Sequence, residues 1–171
     1  MKNPVLKILW VDDEVLMIKM YKEFFEKIAN VSGFFTDISP AQSAQTAIKK
    51  LQTQKIDLLI TDRHLGSEYD SHVRGTDLIK MIRNGEIISE DGISPSLPII
   101  LTTSSSSFME TDLYNRHEND SSAVHRDFHT NDKFTYFLTK PFKLVEIFDV
   151  IRVIQEELNQ LTQFRIPLIA P

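Results

Sequence analysis

The sequence predicts a single α/β domain built around a doubly wound parallel sheet, and three observations support this fold class. Five short apolar segments alternate with segments whose apolar residues recur at helical spacing. No turn between two apolar segments is short enough for a hairpin, so the strands should be parallel and joined by right-handed crossovers. The 171 residues, 42% of them hydrophobic, suffice for one well-buried domain but not for two.

The first part of the chain should form two strands and two helices. The first strand is predicted over residues 8–11, an apolar run followed by three acids. A first helix follows and ends near residues 30–33, with an apolar face made of Met17, Ile18, Tyr21, Phe24, Phe25 and Ile28. A weaker second strand is predicted over residues 34–38. Ser39 and Pro40 match the N-cap and first position of a second helix, whose apolar face is Ala44, Ala47, Ile48 and Leu51.

The middle of the chain should hold the third and fourth strands. Residues 58–60 are uniformly apolar, which is typical of a strand buried on both faces, and Asp62 lies just past the carboxyl end of that strand. After a loop over residues 67–74, a third helix should run from Gly75 to about Gly85 on an apolar face made of Leu78, Ile79, Met81 and Ile82. Residues 87–96 then read as a loop before the fourth strand at 97–101.

The last part of the chain predicts one more strand and one more helix. Ser107 and Glu110 match a capping box that could open a short helix, and residues 117–133 read as a long solvated insertion. The structure and role of residues 104–133 stay open. A fifth strand is predicted over residues 134–139. The clearest amphipathic helix follows, along Leu144, Ile147, Phe148, Ile151, Ile154, Leu158 and Leu161. We therefore expect a domain over residues 1–162 and a C-terminal tail over residues 163–171.

Charge and composition exclude several classes of function. The net charge of −5 and the lack of a basic stripe argue against direct binding to nucleic acid. The absence of cysteine excludes disulfides, thiolate metal sites and cysteine nucleophiles. No stretch approaches the roughly 18 apolar residues of a membrane span, and the amino-terminal apolar run is too short for a signal peptide. We therefore expect a cytoplasmic protein that does not contact a membrane.

Acidic residues follow the first and third predicted strands. Asp12 and Asp13 end the first strand, and Asp62 follows the third. In the flavodoxin-like strand order 2-1-3-4-5 these strands are neighbours, about 4.8 Å apart, so the three carboxylates come within reach of one another. Such a cluster repels itself unless a cation binds, and hard carboxylate oxygens favour Mg²⁺ over zinc. Alternatively residues 12–14 cap the first helix, and both roles can hold together.

The fourth and fifth strands end in residues that complement these acids. Thr102 and Thr103 follow the fourth strand, and Lys140 follows the fifth, which places a hydroxyl and an ammonium group at the same edge of the sheet. A carboxylate nucleophile can form an acyl phosphate when Mg²⁺ and a lysine neutralise the charge of the transferred group. The set therefore indicates a site that binds a phosphoryl group on Asp62.

With this combination, residues 6–161 resemble a response-regulator receiver domain of bacterial two-component signalling. The resemblance implies that Asp12 and Asp13, in the motif Trp-Val-Asp-Asp-Glu, serve Mg²⁺. It implies that Asp62 is the phosphoacceptor and a Mg²⁺ ligand, and that His64 lends Mg²⁺ its backbone carbonyl. Lys140 matches the lysine that pairs with the phosphorylated aspartate, and the Lys140–Pro141 bond is expected to be cis.

The resemblance also implies a two-residue switch. Phe137, three residues before Lys140, falls at the position of the aromatic switch residue. The switch hydroxyl has two candidates: counting from Pro98 favours Thr103, whereas the motif Leu-Thr-Thr-Ser over residues 101–104 favours Thr102. Thr103 is the preferred candidate, with Thr102 as the alternative.

The chain departs from the receiver pattern in several places. The small residue that usually follows the switch hydroxyl is Ser104, or Thr103 if Thr102 is the switch. The segment between the fourth and fifth strands is longer than is usual in the family. In the family this segment normally helps form the surface that passes the signal to a partner. No output domain follows the final helix, so we expect a stand-alone receiver that acts through protein contacts.

The last helix carries three valines beside its main apolar face, namely Val145, Val150 and Val153. They either widen the buried face or form a strip that faces a partner, including a homodimer through this helix.

The preferred function is a phosphorelay switch and not an enzyme. Asp62 would receive its phosphoryl group from a histidine kinase or phosphotransfer protein, and an unknown downstream protein would read the result. One alternative is a scaffold that keeps the acids without switching. A Mg²⁺-dependent phosphohydrolase of the haloacid-dehalogenase kind is less favoured, because its two acids lie two residues apart on the first strand whereas Asp12 and Asp13 are adjacent.

Overall fold

A computed structural model describes residues 5–32, 35–65, 73–89, 93–104, 125–126 and 134–163 of the chain. The strands are β1 (Val5–Val11), β2 (Phe35–Ala41), β3 (Leu58–Asp62), β4 (Ile99–Thr103), β5 (His125–Arg126) and β6 (Thr135–Thr139). The helices are α1 (Val15–Ser32), α2 (Ala44–Thr53), α3 (Gly75–Arg83) and α4 (Leu144–Gln163). The expected short helix after Ser107, the loop over 67–72 and the tail beyond residue 163 lie outside the described residues.

The five predicted strands form a parallel sheet in the order β2-β1-β3-β4-β6. This confirms the α/β class and the flavodoxin-like order 2-1-3-4-5, with β6 as the predicted fifth strand. One feature was not foreseen: the two-residue strand β5 pairs antiparallel with β6 at the sheet edge, opposite Phe137 and Tyr136.

Two apolar clusters cover the two faces of the sheet. Neighbouring residues of β3 show the division, because Ile60 packs with α1 and α4 on one face while Leu59 packs with α2 and α3 on the other. Residues in the middle of the strands are buried on both sides, which explains their continuous apolar runs. Polar residues are therefore concentrated where these strands end.

Aromatic contacts join β1 to the segment after β6. Trp10 stacks on Tyr21 of α1 with ring centroids 4.8 Å apart, and Tyr21 stacks on Phe142 at 5.3 Å. Phe25 of α1 also contacts Phe148 of α4. These contacts fix the turn that carries residue 140 relative to the carboxyl end of β1.

The predicted start of the second helix was wrong. Residues 39–41 continue β2, and the N-cap of α2 is Ser43, whose side chain accepts a hydrogen bond from the Thr46 backbone N–H at 3.2 Å. Pro40 is tolerated in the strand because β2 lies at the edge of the sheet, where a missing N–H donor need not break the ladder.

The valines of α4 have different environments. Val150 is buried and Val153 packs against the same apolar cluster, so these two widen the buried face. Val145 is 58% exposed. Within the described residues, no helix is both long and apolar enough to cross a membrane.

Candidate functional site

Three carboxylates converge at the carboxyl ends of β1 and β3. Asp62 is the last residue of β3 and is 8% exposed, while Asp12 follows β1 and is 1% exposed. Asp13, the next residue, is exposed. Each of the three offers a carboxylate oxygen, and these oxygens all lie within 4.8 Å of one another. The predicted convergence of the acids is therefore present in the structure.

The two carboxylate oxygens of Asp12 accept hydrogen bonds from different donors. Its Oδ1 accepts a hydrogen bond from the Glu14 backbone N–H at 2.9 Å, which orders the turn leading into α1. Its Oδ2 accepts from the ammonium of Lys140 at 2.8 Å. The backbone N–H of Asp12 donates to the Ala41 carbonyl at 3.0 Å and ties this turn to β2. Asp12 therefore orders this turn and contacts Lys140 at the same time.

Lys140 bridges the two buried acids. Its Nζ lies 2.8 Å from Asp12 Oδ2 and 3.5 Å from Asp62 Oδ1, and its side chain is 14% exposed. The Lys140 backbone N–H donates to the Thr103 carbonyl at 2.8 Å, which anchors the residue to the end of β4. The Lys140–Pro141 peptide bond is cis, as expected.

Burial and neighbouring charges shift the pKa values of Asp62 and Lys140. Burial raises the pKa of the Asp62 carboxyl above its ordinary value of 3.8; the nearby charge of Asp12 adds to this rise, and Lys140 opposes it. Burial alone would lower the pKa of Lys140, but its hydrogen bond to Asp12 and the charges of Asp12 and Asp62 together raise it. The ammonium therefore favours the ionised form of Asp62, which is the nucleophilic form.

The two candidate switch threonines end β4 on opposite faces of the sheet. Thr102 is level with Asp62 in the register, and its hydroxyl donates to the Thr61 carbonyl at 3.4 Å. Thr103 is level with Thr139 of β6. Since side chains alternate along a strand, Thr103 shares its face with Phe137 and not with Asp62. Both threonines are buried, so burial does not decide between them.

Phe137 is buried in the sheet, whereas His64 is exposed beyond the end of β3. Phe137 is 7% exposed and lies diagonally across from Thr103 on the β4–β6 pair. His64 is exposed and lies two residues after Asp62. Its role as a backbone ligand stays a prediction.

Sequence reasoning missed the contribution of Gly75 to the site. This glycine begins α3, and its N–H donates to the Arg63 carbonyl at 3.1 Å. A Cβ at residue 75 would collide with the backbone carbonyl oxygen of Asp62 and lie 3.0 Å from Thr61 Oγ1. The start of α3 therefore lies directly against the end of β3. Only the glycine itself, at a helix start, could have signalled this contact.

The donor set at the three aspartates fits a magnesium ion. All three groups are hard carboxylate oxygens, and among the described residues this cluster includes no histidine or cysteine. The carboxylates would supply part of an octahedron, which leaves positions for water and for an oxygen of a phosphoryl group.

Comparison with known families decides the class of protein. The family model for the response regulator receiver domain matches residues 8–152. The chain belongs to this family. Receiver domains are phospho-accepting signalling domains of two-component and phosphorelay systems, and they interact with histidine kinases or phosphotransfer proteins. They are in general signalling switches and not enzymes.

Several solved structures of receiver domains have the same fold as this chain. The Francisella response regulator 1452 receiver domain is 19% identical, with a TM-score of 0.58 over 91% of this chain and 99% of that one. A CheY-like receiver protein from Methanospirillum hungatei is 18% identical, with a TM-score of 0.57 over 94% and 98% of the two chains. A Thermotoga maritima response regulator in complex with Mg²⁺ and BeF is 19% identical, with a TM-score of 0.58 over 87% and 98%. No curated protein sequence matches significantly.

Proposed function

We propose that this receiver domain is a switch in which Asp62 accepts a phosphoryl group from a histidine kinase or phosphotransfer protein. The observation that carries the proposal is the Lys140 ammonium, which lies between Asp12 and Asp62 where β1, β3 and β6 end. A buried carboxylate paired with a buried ammonium can react as a nucleophile and still have the charge of its product neutralised.

The chemistry follows from the residues present. A carboxylate oxygen of Asp62 attacks the phosphorus of a phosphohistidine, the P–N bond breaks, the imidazole of the donor takes up a proton, and an acyl phosphate remains. Lys140, 3.5 Å from Asp62, neutralises charge on the transferred group. Asp12, Asp13, Asp62 and the backbone carbonyl of His64 would hold Mg²⁺, which when bound neutralises the phosphoryl oxygens.

The response to phosphorylation is assigned to Thr103 and Phe137. Thr103 donates its hydroxyl hydrogen to a phosphoryl oxygen, and Phe137 changes its packing on the same face of the sheet. The register supports the link between Thr103 and Phe137, because these two residues share a face of the sheet. Thr102 remains the alternative, and replacing each threonine by valine separates the two.

Phosphorylation by a small-molecule donor tests the proposal. The chain is incubated with acetyl phosphate and Mg²⁺ and its intact mass is recorded. We expect the wild-type protein to gain the mass of one phosphoryl group and Asp62→Ala to gain none. Asp57→Asn is the matched control, because Asp57 precedes the same strand at its opposite end and hydrogen-bonds the Lys7 backbone. A mass gain that survives Asp62→Ala would contradict the assignment.

The intact-mass measurement also distinguishes the proposed switch from a scaffold that keeps the acids but accepts no phosphoryl group. The family match favours a receiver over a phosphohydrolase. Turnover of phosphate monoesters would restore that alternative. The downstream partner and a homodimer through α4 stay predictions.

A further inference from the structure

One buried hydroxyl in the described part of the chain has no hydrogen-bond partner, and it belongs to Thr139. Thr139 is the last residue of β6 and directly precedes Lys140. A buried hydroxyl without a partner loses its bonds to water and gains nothing in return. Such a group deserves a structural or functional explanation.

In the register of the sheet, Thr139 lies directly beside Thr103. Thr139 of β6 and Thr103 of β4 are direct partners in a parallel pair, so their side chains lie side by side on the same face. The Lys140 N–H donates to the Thr103 carbonyl at 2.8 Å and fixes the two backbones relative to each other at this level. Facing threonines on adjacent strands can hydrogen-bond through their hydroxyls.

The chemistry of the hydroxyl favours this bond in the phosphorylated state, because hydrogen bonds in a chain strengthen one another. A threonine hydroxyl has one hydrogen to donate and two lone pairs that accept. When Thr103 donates its hydrogen to the phosphoryl oxygen, its oxygen can accept a hydrogen bond from the neighbouring hydroxyl. A donor at that position also polarises Thr103 and strengthens the bond that Thr103 makes.

We propose that Thr139 is a positioning residue of the switch: its hydroxyl, which has no protein partner in this structure, donates to Thr103 Oγ when Thr103 contacts the phosphoryl group. This inference rests on the proposed function and on Thr103 as the switch hydroxyl. Because the bond forms in only one of the two states, it shifts the equilibrium toward the phosphorylated conformation. Phe137, two residues earlier on the same face, lies next to this pair.

The test measures the affinity of the protein for trifluoroberyllate, a phosphoryl mimic, by calorimetry in saturating Mg²⁺. Thr139→Val should weaken binding about fivefold, the effect of one ordinary hydrogen bond. Thr139→Ser, which restores a hydroxyl, should return the affinity to within about twofold of the wild type. Thermal unfolding without ligand should show Thr139→Val at least as stable as the wild type, because valine removes the unpaired hydroxyl.

A double-mutant cycle shows whether Thr139 acts through Thr103. Thr103→Val combined with Thr139→Val should bind no more weakly than Thr103→Val alone. Thr102 gives the matched control: it is level with Leu138 on the other face, so its effect should add in full to that of Thr139→Val.

Two kinds of outcome would overturn the inference. Unchanged affinity in Thr139→Val, no rescue by serine, or full additivity with Thr103→Val would show that Thr139 does not position the switch. If valine prevents folding, Thr139→Ala is judged by the same criteria. A wild-type protein that binds no trifluoroberyllate would instead remove the proposed function, and this inference with it.

Discussion

Asp62 is the residue at which function and stability conflict most directly. Burial raises the pKa of its carboxyl, so the folded state binds this proton more tightly than the unfolded state does. The stabilisation that comes from this proton is fully present at pH values below the pKa of Asp62 in the unfolded chain. It is lost as the pH rises through the pKa of Asp62 in the folded protein. At neutral pH the ionised carboxylate therefore destabilises the fold.

Asp62→Asn should raise the free energy of unfolding at neutral pH by about 1 kcal/mol. The gain should shrink as the pH falls and vanish below about pH 3, where the carboxyl is protonated in both the folded and the unfolded state. Urea unfolding in EDTA at the two pH values measures this. Asp37→Asn, at an exposed carboxylate of β2, is the control for the substitution of aspartate by asparagine. A gain equal at both pH values would contradict the electrostatic explanation.

Lys140 has the opposite effect on stability. Its pKa is raised in the folded state, so its stabilisation is present below its unfolded pKa and is lost only as the pH rises through the folded value. At neutral pH, Lys140→Met leaves the Asp12 and Asp62 carboxylates facing each other without a cation. We expect a loss of about 2 kcal/mol, less than for a fully buried ion pair.

Mg²⁺ provides a second readout for Lys140→Met. If the three aspartates bind the ion, Mg²⁺ should restore more stability to Lys140→Met than it adds to the wild-type protein. Lys143→Met, at an exposed lysine three residues away, should behave like the wild type. Equal Mg²⁺ effects on all three proteins in thermal unfolding would argue against a shared site.

At the scale of elements, the contact between α3 and β3 depends on a missing side chain. Gly75→Ala places a Cβ against the backbone carbonyl of Asp62, and backbone cannot yield as a flexible side chain can. The variant should lose about 1–3 kcal/mol of stability through overpacking and should accept phosphoryl groups more slowly, because the end of β3 is displaced.

Gly85 provides the comparison for Gly75→Ala. Gly85 has a positive φ of 68° with open space around its Cβ position, and asparagine tolerates that conformation. Gly85→Asn should therefore leave the phosphorylation rate unchanged. Unfolding free energy and phosphorylation rate are measured on both variants. If Gly75→Ala matched the wild-type protein in both measurements, this account would be contradicted.

The elements also show where sequence patterns suffice. Continuous apolar runs predicted the five parallel strands, because a sheet covered on both faces needs apolar residues in succession. The start of α2 was misplaced because Ser39 and Pro40 satisfy the local rules for a helix start, whereas pairing with β1 keeps them in a strand. Local preference yields here to a contact between segments that are distant in the sequence. The strand β5, only two residues long, has no periodicity from which it could be predicted.

At the scale of the whole molecule, the site was predictable because the topology brings the strand ends together. Parallel strands all present their carboxyl ends at one edge, so Asp12, Asp62 and Lys140 meet although they are far apart in the sequence. Two features of the site could not be predicted from the sequence. The collision at Gly75 depends on the approach angle of a helix, and the unpaired hydroxyl of Thr139 is visible only when all its neighbours are placed.

The central claim is that Asp62, and no other carboxylate, carries the phosphoryl group. After reaction with acetyl phosphate and Mg²⁺, borohydride reduction converts a phosphorylated aspartate to homoserine, and peptide mapping by mass spectrometry locates it. We expect homoserine at residue 62 and at neither residue 12 nor residue 13, with none formed when Mg²⁺ is removed by EDTA. Homoserine at another aspartate, or none in the wild-type protein under the full conditions, would contradict the account.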